Sequence, residues 1–214
     1  PYGNYIRFVP NPHFPVIFCG GHQRNSFIHD LIGVVTYGTP LSSTLRDGVC
    51  GKEYSQCVLE LNRLCCERGK NIASQLVGRS LSMLPKPSVV VSYADTGQGH
   101  VGYVYQSTNF IYTGLSAKFK DPMVRGQEHK HHTTIGDEGR GHPSRVEYLR
   151  EKYGAENVYY VERARKHRYV FFCGNKTERW KMKSALKYNI KEYPKGKSKR
   201  YKSDQIETQQ SLFS

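Results

Sequence analysis

Apolar positions in this chain fall into short runs with two different periods. Residues 31–37 form an apolar, β-branched run ended by Gly38 and Pro40, and read as a strand. Residues 57–65 alternate. Val58, Glu60, Asn62 and Leu64 fall on one side and Leu59, Leu61 and Arg63 on the other, which is strand periodicity with polar groups set among apolar ones. Ile72, Leu76, Leu81 and Leu84 recur at roughly helical spacing, so residues 71–84 are predicted to be a helix, stopped by Pro85. The continuous apolar run 88–93 reads as a buried central strand. Residues 99–109 predict a short helix and 110–113 a strand closed by Gly114. Residues 41–54 read as a polar connection, and 120–144, rich in Gly, His and charge, as a long mobile loop. A helix over 143–153, a strand over 167–173 and a helix over 177–188 with Thr177 as N-cap complete the series. This is an α+β pattern. It predicts a mixed central sheet with strands near 32–37, 57–65, 88–94 and 167–172, and the helix 71–84 packed on it. Residues 1–194 are expected to form one domain, followed by a basic, flexible tail over 195–214.

Charge changes this picture. The 214 residues carry 32 Lys and Arg against 18 Asp and Glu, a formal net charge of +14. Nine basic residues face six acids up to Ser116, and 23 face 12 beyond it, so the excess belongs to the C-terminal half. Such an excess suits a polyanion, most often nucleic acid. Arg163, Arg165, Lys166 and Arg168 run into the apolar stretch 169–172, so a strand edge is expected to hold Lys166 and Arg168 against DNA phosphates. The tail adds Lys197, Lys199 and Arg200, either as further phosphate contacts or as a solvated end. No apolar run approaches the roughly 18 residues of a membrane span, and the start of the chain lacks a basic-then-apolar pattern. A membrane or secreted location is therefore not expected. The six cysteines form no CxxC pair or zinc spacing and read as reduced, buried thiols suited to a cytosol.

Four constellations could carry chemistry. Arg68, Gly69, Lys70 and Asn71 follow one strand and open a helix. Free N–H groups there bind phosphate, although a plain turn has the same sequence. Asp95 ends the apolar run in Ser92-Tyr-Ala-Asp95, as a general base, a ligand anchor or the cap of the next turn. In the helix over 99–109, His100, Tyr103 and Ser107 share one side, and Val101, Tyr105 and Thr108 another. His129, His131, His132 and His142 match no structural zinc pattern and read as part of the polar loop.

A polar-studded strand, an Arg-led phosphate loop, a helix, a strand and a short helix with Tyr resemble the GNAT acyltransferase core. Arg68 and Ala73 fit that family's loop, and Asn71 stands at its first glycine position. The resemblance implies a mixed sheet in which the strands near 57–65 and 88–94 are parallel neighbours that splay into a cleft. A closer resemblance is to the Mom family of phage DNA-modification proteins. It is carried by Glu60-Leu-Asn-Arg-Leu64, Lys70-Asn-Ile-Ala-Ser74, Ser92-Tyr-Ala-Asp95, Gly99-His-Val-Gly-Tyr-Val-Tyr-Gln-Ser-Thr-Asn109 and Lys166-His-Arg-Tyr169, about half the chain.

This second resemblance implies an enzyme in the host cytoplasm. It would convert adenine N6 in double-stranded DNA to a carbamoylmethyl-amino group, shielding phage DNA from host restriction. The family's key residues fall on Arg63, Ser74, Asp95 and Tyr105. Adenine N6 is a poor nucleophile, so a proton must leave as the bond forms. Asp95 is the candidate base or orienting group, and Tyr105 the proton donor. His100 is a reserve base, and Tyr37 lines the pocket from the opposite side. Arg63, Arg68, Gly69, Asn71 and Ser74 would hold a donor, either an acyl-coenzyme A or an activated glycyl species. Asp95, Tyr105 and Arg63 are expected to meet in one pocket with the N–H groups of 69–74 at its rim. Tyr93 or Tyr103 would stack on a flipped base. A metal-assisted route with Tyr and His ligands is a further option. The alternatives are a non-catalytic basic nucleic-acid-binding module and a GNAT N-acyltransferase acting on another amine.

Overall fold

The structure, a computed structural model, describes residues 3–11, 14–23 and 29–196. In chain order the elements are β1 (Gly3–Asn11), β2 (Phe14–Gln23), β3 (His29–Gly38), α1 (Ser43–Cys50), β4 (Val58–Cys66), α2 (Ile72–Met83), β5 (Ser88–Asp95), α3 (Tyr103–Ser107), β6 (Ile111–Leu115), β7 (Lys120–Val124), α4 (His132–Glu138), α5 (Arg145–Tyr153), β8 (Val158–Glu162), β9 (Lys166–Cys173) and α6 (Lys176–Ser184). Seven strands build one sheet in the order β1-β2-β3-β4-β5-β9-β6. Every neighbouring pair in it is antiparallel except β4 and β5, which are parallel, so the sheet is mixed and the fold α+β.

The sheet buries a core on each face. On one face Leu76, Val77, Leu81 and Leu84 of α2 and its C-terminal cap meet Leu61, Val90, Tyr112 and Tyr169, with Val104 and Tyr105 of α3 beside them. On the other face Val49 and Cys50 of α1 and Met182 of α6 cover Val58, Val89, Val91, Val170 and Phe172. Strand β5 is buried along most of its length because helices lie over both of its faces, which accounts for its unbroken apolar run. Among the described residues no helix is long and apolar enough to cross a membrane.

Residues 41–54 are not a plain connection. Ser42 accepts from Leu45 N and starts α1, and a 3-10 turn over Lys52–Cys57 follows. Residues 120–144 are not one long loop either. They contain β7 and α4, which pack with α5 and β8 around Val124, Ile135 and Leu149. Ion pairs finish this small lobe. Asp121 accepts from Arg163, and Glu138 accepts from Tyr153 (2.6 Å), Lys152 (2.9 Å) and Lys130 (3.3 Å). Those donors hold the Glu138 carboxyl down at about 2. Helix α6 begins at Lys176 rather than beyond Thr177. Asn175 is the cap, in a reciprocal pair with Glu178. Of the cysteines, Cys50 and Cys173 are buried, but Cys65 is exposed at the end of β4.

Candidate functional site

The parallel pair β4–β5 is joined at only three positions, Val58↔Val89, Leu59↔Val90 and Glu60↔Val91. Beyond Glu60 the ladder stops, although β4 stays paired to β3 as far as Cys66 and β5 to β9 as far as Asp95. The β3–β4 register shifts here, with Tyr37 opposite Leu61 and Thr36 opposite Arg63, so Asn62 is an extra residue. Such a bulge bends its strand and moves the following side chains across the sheet. Leu64 accordingly packs with Leu59 and Leu61 against the α2 face, not with Val58 as simple alternation expects.

Ser92 spans the opening, its hydroxyl donating to Leu61 O at 3.4 Å. The Tyr105 hydroxyl is a neighbour of this Ser92 hydroxyl, and the contact pulls the phenol's pKa down against the larger, raising effect of burial. Tyr105 is wedged between Phe110 and Tyr169, ring centroids 5.4 and 5.3 Å away. Burial raises its pKa and the Ser92 bond only partly offsets this, so its proton stays in place at neutral pH.

The sequence around Tyr105 sets its position. Gly102 takes a left-handed conformation (φ 78°), and a β-carbon there would lie 2.6 Å from the Tyr169 ring. Gln106 Nε2 donates to Val101 O (3.0 Å) and to the Tyr169 hydroxyl (3.1 Å), while Tyr169 itself donates to Val101 O. These bonds and the close packing of Gly102 on Tyr169 lock the turn that launches α3.

The other predicted residues are placed unevenly. Asp95 Oδ1 accepts from Gly97 N at 2.8 Å and caps the 3-10 turn Thr96–Gln98, the capping role open at the sequence level. His100 is exposed and donates its backbone N–H to Asp95 O. Arg63 is exposed, with Nη1 donating to Asn62 O, and among the described residues it makes no hydrogen bond to Asp95 or Tyr105. Tyr37 does not line a pocket: it is 0% exposed, and its hydroxyl bonds Ser80 on α2 at 2.7 Å. Replacing Tyr37 with Phe should therefore lower stability by about 1 kcal/mol, the worth of one buried hydrogen bond, and leave activity intact. Thermal denaturation alongside an activity assay checks both halves.

Arg68, Gly69 and Lys70 lie exposed between β4 and α2. Asn71 adopts a left-handed conformation (φ 64°) at the start of α2, and no side chain caps that end. The first N–H groups of this 12-residue helix thus have no intrahelical acceptor. A groove of about 450 Å³ begins there, lined by Asn71, Ser74, Gln75, Gly78, Ser107 and Thr108 among others. It runs between α2 and the end of α3, the helix that carries Tyr105.

Sequence reasoning passed over Glu60. It holds the last paired position before the strands part and is half-buried. Burial raises its pKa, opposed by Lys166 and Arg63. Tyr93 shares this face, pushed up to about 12 by burial against the pull of Arg168. The available signal was an acid in the middle of an alternating strand, between Leu59 and Leu61.

Lys166 is exposed at the start of β9, opposite Asp95. Strand β9 is not an edge, because it lies between β5 and β6. Arg168 is fixed by Thr113, through Nε to Oγ1 (2.9 Å) and Nη2 to the carbonyl (3.3 Å). Lys197, Lys199 and Arg200 lie outside the described residues. Of the loop histidines, His131 caps α4, His132 faces Asp121 at 3.8 Å, and His142 packs on Tyr148. Among the described residues no three of His, Cys, Asp and Glu gather in a metal-binding group.

The sequence profile of the Mom protein family matches residues 5–195. A curated relative, methylcarbamoylase Mom of Escherichia phage Mu, is 28% identical over 185 residues, covering 80% of this chain and 73% of its own.

Proposed function

This chain belongs to the Mom protein family, and from that premise we propose that it converts adenine N6 in double-stranded DNA to a carbamoylmethyl-amino group. In this reading it acts in the host cytoplasm and shields phage DNA from restriction. The phage Mu relative is named a methylcarbamoylase, which matches that chemistry. The observation that carries the reading is the opening of the β4–β5 ladder beyond Glu60, spanned by Ser92 donating to Leu61 O, with Tyr105 held beside it by Phe110 and Tyr169. A parallel strand pair that opens beside a bulge, with an uncapped helix start at one end and a half-buried tyrosine at the other, supports the reading of a GNAT-like transferase.

The uncapped start of α2, with Arg68 and Lys70 beside it, would take the anionic part of the donor. Asn71 and Ser74 would line its path along the groove towards α3. The donor is an acyl-coenzyme A or an activated glycyl species. The N6 amine loses a proton and bonds to the activated carbonyl carbon of a glycyl donor, while the leaving group departs with the proton of Tyr105. The glycyl amine then attacks C6, and the original N6 departs as the carboxamide nitrogen, which isomerises the adduct to the carbamoylmethyl-amino product. Glu60 is the base in this scheme. Its raised pKa brings it towards the working pH, where a general base is most effective. Asp95, with Oδ1 engaged by Gly97, orients the amine through its second oxygen. Lys166 contributes phosphate contact.

Expression of the full chain in bacteria tests this. Plasmid DNA should resist restriction enzymes whose sites contain adenine, and nucleoside mass spectrometry should find deoxyadenosine carrying a carbamoylmethyl group in place of one N6 hydrogen. Unaltered nucleosides with retained DNA binding would make the protein a binding module. Modification of a free amine alone would make it a different N-acyltransferase.

A further inference from the structure

The charge of the C-terminal half is not spread evenly. Residues 120–163, the small lobe, carry eight basic and eight acidic residues, whereas 164–196 carry ten basic and two acidic. Part of the second group lines a cleft of about 430 Å³ between β6, β9 and residues 187–191. Arg165, Arg168, Lys187 and Lys191 line it with Tyr112 and Tyr188, and no acid does. Among the described residues none of these four cations is in a salt bridge.

Both arginines are held in place by neutral oxygen acceptors. Arg168 donates to the side chain and carbonyl of Thr113, and its guanidinium carbon lies 3.3 Å from the Tyr188 ring centroid. Arg165 donates through Nε to Ser116 O (2.7 Å) and through Nη2 to Leu115 O (3.4 Å). Each guanidinium uses one edge on carbonyl or hydroxyl oxygens and keeps full charge and further N–H donors for an anion. The opposite wall is also fixed. Lys187 N donates to Val49 O and Lys191 N to Tyr112 O, and the left-handed Gly114 (φ 89°) leaves room for the Lys191 side chain. Tyr112 in the cleft wall touches Tyr169, which touches Tyr105, so the cleft lies two ring contacts from the reacting hydroxyl.

We propose that this cleft seats the phosphodiester backbone of the DNA strand flanking the modified adenine. Its ligand is phosphate ester, held by preset cations, and the seat orients the strand without reading bases. The inference rests on the DNA-modifying reading above.

Duplex binding by the full chain, followed by fluorescence anisotropy across a salt series without any donor, tests it. Each lost phosphate contact lowers the slope of log affinity against log salt by about 0.9. The double variant Lys187→Ala, Lys191→Ala changes two exposed side chains and should reduce that slope by roughly 1.8. Arg140→Ala with Arg150→Ala, an equal charge loss in the neutral lobe, should leave it unchanged. A slope that stays at the wild-type value in the first variant, or falls equally in the second, overturns the proposal. Calorimetric titration with AMP separates the two sources of phosphate. Loss of AMP binding with an unchanged DNA slope would assign the cleft to a small phosphorylated ligand and overturn the DNA seat. A wild-type protein that binds no duplex would overturn the DNA-modifying reading itself, a result distinct from a wild type that binds with the variant slope unchanged.

Discussion

Changing Tyr105 to Phe should nearly abolish DNA modification while leaving the folded protein and its DNA affinity intact. The substitution removes one hydroxyl. The ring keeps its contacts with Phe110 and Tyr169, and Ser92 keeps its bond to Leu61 O. No buried donor is orphaned, so the stability loss should stay near 1 kcal/mol. The chemical loss should be far larger, because a positioned proton donor contributes about 100- to 10,000-fold in rate. Burial keeps the phenol protonated at neutral pH, which is the form the role needs. Nucleoside mass spectrometry on plasmid from cells expressing the variant measures the chemistry, and anisotropy measures binding. Wild-type modification by the Phe variant would remove both the role of Tyr105 and the reason for placing the reaction at the β4–β5 opening.

How far the chain could be read in advance depended on where its information is stored. Strands β3, β5 and β9 and helix α2 were legible because their apolar pattern is local and unbroken, and β4 was legible as far as its bulge. The small lobe was not. Its core members Val124, Ile135 and Leu149 are more than ten residues apart, and the pairs that finish it join Asp121 to Arg163 and Lys130 and Lys152 to Glu138. No window of sequence contains such a pattern, so a run of polar residues reads as loop. The bulge at Asn62 was hidden for a related reason. Alternation predicts Leu64 on the wrong face, and only pairing with β3 reveals the extra residue.

The site divides in the same way. Tyr105, Gly102 and Gln106 belong to one motif, and the structure gives each a task in holding α3. Tyr37 is a strand-end tyrosine that sequence alone cannot assign to cleft or core, and the covering helix α2 decides for the core. Arg168 was chosen for its charge, but its fixed geometry depends on Thr113 and Tyr188, both distant in sequence. Glu60 is the clearest omission. Its environment is created by the parting of two strands, which composition and spacing do not encode.

Glu60 therefore yields a test with two opposing readouts. Replacement by Gln keeps size and hydrogen-bonding capacity but removes the ionisable group. If Glu60 accepts the N6 proton, modification should fall by about 100- to 10,000-fold. In the wild type the rate should rise with pH through the raised Glu60 pKa, and that limb should be missing from the residual activity of the variant. Asp95→Asn, which can still accept from Gly97, should lower the rate and retain the limb. Stability should move the other way. A carboxyl whose pKa is raised on folding binds its proton more tightly in the folded state, so wild-type stability declines as pH rises from the ordinary carboxylate range through the folded value. Above that point the full penalty of a half-buried charge is present, reduced by Lys166 and Arg63. Glu60→Gln carries no such penalty. It should melt no lower than the wild type at neutral pH, and its advantage should vanish on acidification. Melting curves across that pH range decide the matter. A lower melting temperature for the variant at neutral pH would mean that the carboxylate is retained for its attraction to Lys166 and Arg63, and the search for the base would return to Asp95.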